Sequence, residues 1–220
     1  MSGVVKAMEH AEPSSGRRER AKAERRERLK RAAFDVFADK GYEAATTREI
    51  ALRAGVGAAT LFRYAEQKRD LLLMIVNDGL DAATAQARAQ LDAEAPLVDQ
   101  LTVVFAPRFR YWGQHLALAR DAMHETVLAR ASGDASLETR RYMQGRAALV
   151  DLLVEIVRRE QARRAVTEHE DPGVIATLFL TIYLSQLRLW IAAQRPVVKR
   201  GIEDLRRLLS LAIDGVRAHR

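Results

Sequence analysis

Apolar residues recur along most of the chain at spacings of three and four, the period of a helix with one buried face, and no sustained apolar–polar alternation marks a strand. Leu29, Ala32, Ala33, Phe34, Val36 and Phe37 form the first stripe, and a helix is predicted from Arg17 to Lys40, ended by Gly41. Thr46 with Glu49 three residues later is a capping-box pattern that opens a second helix through Ala54. Gly55 closes it, and Gly57 can cap a third helix over about 58–64. A fourth is predicted from Lys68 to near Asp92, with Leu71, Leu72, Ile75, Val76 and Leu80 inward.

Beyond Pro96 the segments lengthen, and helices are predicted at about 97–117, 120–130, 136–163, 172–193 and 200–217. Breaks fall at Ser132-Gly133-Asp134, Asp171-Pro172-Gly173 and Arg195-Pro196. Pro107, between Phe105 and Phe109, is expected to kink or divide its helix, because proline removes a donor and crowds the preceding turn. The fold class is therefore all-α: an N-terminal three-helix domain with helix-turn-helix dimensions and a C-terminal helical bundle, about nine helices altogether. The expected division is an unstructured tail over 1–16, a helix-turn-helix domain over 17–67, and a second domain over 68–220 entered through the helix 68–92.

Composition narrows the function. The 220 residues hold 5 Pro and 12 Gly, few turn formers for that length, and no Cys, which removes disulfide scaffolds, thiolate nucleophiles and zinc fingers. Met1–Gly16 is polar, and no uninterrupted apolar run approaches the roughly 18 residues that span a bilayer, so a cytoplasmic protein without a membrane partner is expected. His115 and His124 lack the spacing of a helical metal pair. No nucleophile elbow, phosphate loop or paired catalytic carboxylates stand out, so neither an enzyme nor a metal or cofactor is expected.

The net charge of +7 is concentrated early. Arg17, Arg18, Arg20, Lys22, Arg25, Arg26, Arg28, Lys30 and Arg31 face only Glu19, Glu24 and Glu27, which suits either a solvated helix or an arm on phosphates. Its position beside a helix-turn-helix favours the arm. Arg48, Arg63 and Lys68 can contact phosphates or base edges, while Thr46, Thr47, Thr60 and Tyr64 add neutral hydrogen-bonding groups. Gly57, Ala58 and Ala59 are small enough for close approach to DNA, and Leu61 and Phe62 are assigned to the core.

The runs Gly41-Tyr42-Glu43-Ala44-Ala45-Thr46-Thr47-Arg48-Glu49-Ile50-Ala51, Ala54-Gly55-Val56, Thr60-Leu61-Phe62-Arg63-Tyr64 and Lys68-Arg69-Asp70-Leu71-Leu72 resemble the DNA-binding domain of the tetracycline-repressor (TetR) family, over about residues 25–72. The resemblance implies a homodimer whose recognition helices occupy successive major grooves of a palindromic operator, most simply a repressor, released when a small-molecule effector enters the C-terminal domain. It places Thr46, Thr47 and Arg48 against phosphate or the groove edge, Ala58, Ala59, Thr60 and Arg63 on the base-facing side, and Tyr64 and Lys68 on the backbone. Phe62, Gly57, Gln67 and Ala65 depart from the residues the family often has there.

The segment 172–193 is hydrophobic nearly all round, which suits either the central helix of a monomeric bundle or a helix with one face on its own core and another on a partner. The resemblance implies a four-helix dimer interface, with Leu178, Ile182, Leu189, Leu205, Leu208, Leu209 and Ala212 as candidates. It also implies an effector cavity among helices carrying Phe105, Phe109, Trp112, His115, Met123, Met143, Tyr183 and Leu187, for a mostly apolar or aromatic ligand; taken singly, each of these is more at home in a helical core. An activator or global regulator without a small-molecule ligand and a protein-interaction module that has lost DNA binding are the alternatives.

Overall fold

In the computed structural model the described residues are 13–131, 133 and 136–216. They form α1 (Pro13–Ala44), α2 (Thr47–Arg53), α3 (Ala58–Phe62), α4 (Lys68–Gln90), α5 (Leu97–Gln114), α6 (Leu116–Ala131), α7 (Leu137–Ala162), α8 (Pro172–Ala192) and α9 (Val198–Gly215), with no strand among them. Two compact units, Met1–Leu71 and Leu72–Arg220, divide the chain. Most of the expected tail, residues 1–12, lies outside the described residues, but Pro13–Gly16 are already helical. The break expected at Ser132 and Asp134 also lies outside them.

The first unit is built on the α1 stripe. Leu29, Ala32, Ala33, Val36 and Phe37 are buried with Ile50, Ala51 and Ala54 of α2 and Leu61 of α3. Gly41 takes φ 81°, which ends the regular helix where the sequence places it, and one further turn carries Tyr42 in against Phe37, ring centroids 5.3 Å apart. At α2 the capping box forms in full: the Thr46 hydroxyl accepts from the Glu49 amide and the Glu49 carboxylate accepts from the Thr46 amide at 3.1 Å. Gly55, at φ 64°, turns the chain between α2 and α3 in a left-handed conformation that suits glycine. At the start of α4 the buried Asp70 reaches back to the amides of Glu66 (2.9 Å) and Gln67 (3.1 Å). It satisfies donors that a glutamine cap leaves open.

In the second unit α5 packs on α9 and α7, and α8 on α7, α9 and α6. Phe105, Phe109, Leu153, Ile156, Phe179, Tyr183, Leu205 and Leu209 form its centre, with Phe105 stacked on Tyr183 at 4.5 Å. Two expectations are corrected here. Pro107 does not divide α5, which runs unbroken to Gln114; every residue from Val104 to Phe109 is buried, and that packing holds the turn despite the missing donor. The division comes instead at His115 (φ −126°, ψ 33°). α8 is long and apolar enough by length and composition to cross a membrane, contrary to the expectation that no segment is. Its Ile175, Ala176, Phe179, Leu180, Tyr183 and Leu187 are instead packed inside the unit, while Thr177, Thr181, Ser185 and Arg188 lie exposed.

Candidate nucleic-acid interface and a cavity

α3 is a single short turn pinned by Leu61, whose side chain is fully buried. That pin turns Gly57, Ala58, Ala59 and Arg63 outward, with Thr60 half-buried. Phe62 is a correction: it is 50% exposed rather than core, because Leu61 occupies the inward position and the next residue on a helix points about 100° away. Arg48 and Leu52 are exposed on α2, beside the half-buried Thr47. The resulting surface has small residues, two arginines and two apolar side chains able to meet thymine methyls.

The basic arm carries no buried described residue before Leu29. Arg17, Arg18, Arg20, Lys22, Arg28 and Arg31 are exposed on it with Glu19, Glu24 and Glu27 among them, which leaves a helix surface with a net excess of cations.

Three expected DNA contacts have partners inside the unit. The Thr46 hydroxyl is held by the capping box, donating to the Glu49 carboxylate at 2.9 Å. Lys68 donates to the carbonyls of Tyr42 (2.7 Å) and Glu43 (3.0 Å), closing the end of α1, with one ammonium proton beyond those two bonds. Tyr64 is half-buried, and its hydroxyl donates to the Lys22 carbonyl at a long 3.4 Å. Lys40 and Thr46 hold the Glu49 carboxyl below its usual range through hydrogen bonds, Lys40 the more strongly.

The second unit contains a cavity of about 70 Å³ between α4, α5, α6, α7 and α8. Of the expected ligand residues, Trp112, Met123, Tyr183 and Leu187 line it. Phe105, Phe109, His115 and Met143 do not: Phe105 and Phe109 stand behind Tyr183 as packing, and His115 caps α5. Arg108, a lining residue the sequence reading passed over, is 3% exposed and donates to the Val104 carbonyl (3.0 Å) and the Thr84 hydroxyl (2.7 Å). Its signal was an arginine in the apolar run Val103–Phe109. Burial lowers its pKa and pushes that of Tyr183 up.

The exposed face of the last two helices also differs from expectation. Leu205 and Leu209 are buried inside the unit, where α9 packs on α5 and α8, and so are not exposed to a partner. Leu178, Leu189 and Leu208 are exposed, with Val174 and Leu211 beside them and Ile182 and Ala212 half-buried. Leu189 and Leu211 are 67% and 64% exposed.

Residues 29–75 match the family described as bacterial regulatory proteins, tetR family. The HTH-type transcriptional repressor KstR2 of Mycolicibacterium smegmatis (strain ATCC 700084 / mc(2)155) is 31% identical over 87 residues, 40% of this chain; the match spans only 42% of that repressor's length. The HTH-type transcriptional activator FasR of the same organism is 26% identical over 181 residues, 80% of this chain and 76% of its own. The fold is shared with the transcriptional regulator FadR from Bacillus subtilis, solved in complex with stearoyl-CoA, at 18% identity and a TM-score of 0.66 over 86% of this chain and 98% of that one. The segment 29–75 is thus a helix-turn-helix of the tetR type, and the chain as a whole shares its fold with solved transcriptional regulators.

Proposed function

We propose that the protein is a cytoplasmic transcription regulator that binds a palindromic operator as a homodimer, acts as a repressor, and is released by a small, mostly apolar effector in the second unit. The observation that carries this reading is the surface of α3: Leu61 anchors it while Ala58, Ala59, Phe62 and Arg63 face out beside the cationic arm. Thr47, Arg48 and Thr60 stand at its edge, and Tyr64 with the remaining proton of Lys68 meets the backbone. The apolar strip Val174, Leu178, Leu189, Leu208 and Leu211 supports a self-complementary interface, because such a strip on a monomer would leave large side chains in water. Effector binding then shifts the population towards a spacing of recognition helices that no longer fits the operator.

An activator is the second reading, favoured by the 80% of this chain that aligns with FasR. Selection of bound fragments from the host's genomic DNA tests the proposal. Enrichment of a palindrome, lost with Arg63→Ala, is expected; no enriched sequence at low salt would replace it with a protein-interaction role. Transcription from a promoter carrying the palindrome, with and without the protein, separates repression from activation.

A further inference from the structure

Arg108 is an unusual residue to bury. Its guanidinium is held only by neutral groups, the Val104 carbonyl and the Thr84 hydroxyl, which itself donates to the Leu80 carbonyl at 2.9 Å. Among the described residues no carboxylate lies within ion-pair distance of it. Asp81, the acid whose field reaches Arg108, is itself bridged by Arg141. An arginine buried without a countercharge costs several kcal/mol in general, and an anion entering beside it recovers that cost.

A second donor points the same way. One helical turn on, Trp112 is 1% exposed, lines the same cavity, and its Nε1 has no hydrogen-bond partner. Residues four apart share one face of α5, so the guanidinium and the indole N–H belong to one wall. The remaining walls are largely Leu80, Met123, Leu149, Leu180, Leu184 and Leu187. Of the four charged lining residues three are arginines, Arg108, Arg146 and Arg188, against Asp81.

Resting on the reading of the second unit as the effector domain, we propose that this cavity takes a small organic acid, a single carboxylate on an apolar body, with the carboxylate bound by Arg108 and Nε1 of Trp112. A guanidinium presents two parallel N–H groups to one carboxylate. A single negative charge matches the one buried cation, whereas a phosphate dianion would bring a second charge into an apolar wall. The apolar side chains account for the body of the ligand.

The test uses the full-length protein without DNA and compares octanoate, its neutral counterpart octanamide, and inorganic phosphate. Thermal melting and tryptophan fluorescence are the readouts, the chain having 2 Trp. Octanoate is expected to raise the melting temperature, perturb the fluorescence and bind about tenfold or more tightly than octanamide. Arg108→Met should abolish that preference while melting no lower than the wild type, since it removes a buried charge. Trp112→Phe, followed by melting, should weaken octanoate several-fold and octanamide less, since the charged acceptor loses more with the donor. Equal binding of the two, a preference that survives Arg108→Met, or no binding of octanoate would overturn the proposal; displacement of octanoate by inorganic phosphate would overturn the carboxylate assignment. None of these results touches operator selection, so failure here is distinct from failure of the regulator reading.

Discussion

The Lys68 ammonium lies 4.4 Å from the centroid of the Tyr42 ring and donates to the Tyr42 carbonyl at 2.7 Å. The same residue on its own helix reads as a phosphate clamp; in the folded unit it closes the end of α1. Lys68→Ala is therefore expected to lower the urea midpoint of the DNA-free protein, by about 1–2 kcal/mol in stability, because charge-assisted bonds to carbonyls are lost. A pure phosphate contact would leave that midpoint unchanged and alter only the salt dependence of DNA binding.

The arm and Arg63 separate by their salt and sequence dependence. Replacing Arg17, Arg18 and Arg20 with alanine should weaken binding to all sequences alike and flatten the plot of log affinity against log salt by about 0.9 per phosphate lost. Arg63→Ala should relax preference at one operator position. Binding isotherms across salt on matched and single-mismatch operators measure both; equal losses on every sequence for Arg63→Ala would remove its base-reading role.

The α2 cap predicts a pH effect with a definite sign. The folded-state pKa of Glu49 is lowered, so its contribution is present above the ordinary carboxylate pKa and is lost as pH falls through the folded value, below 4.5. Melting of the wild type and Glu49→Gln should differ near neutrality and converge in that acid range. Thr46→Ala, which removes the other half of the box, should cost about 1 kcal/mol in urea unfolding.

Leucines on α8 and α9 should divide into two kinds. Leu189→Arg and Leu211→Glu, at exposed positions, are expected to shift light-scattering mass from dimer to monomer with little effect on secondary structure. Leu205→Ala, at a buried position, should instead cost about 2–5 kcal/mol of stability.

The amino-acid sequence by itself determined the helices, the glycine stop at Gly41, the Thr46–Glu49 capping box and the short helices about Gly55, because spacing, caps and positive φ act within one or two turns of chain. It also marked the basic arm, whose charge density needs no fold to be seen. Tertiary structure alone decided that Phe62 faces out, that Leu205 and Leu209 face in, and that α5 passes through Pro107 intact. It set Lys68 on carbonyls 25 and 26 residues away and brought Arg108, Thr84 and Tyr183 to one cavity. Helical periodicity states which residues share a face; which face is covered, and by what charge, depends on contacts between helices distant in the chain.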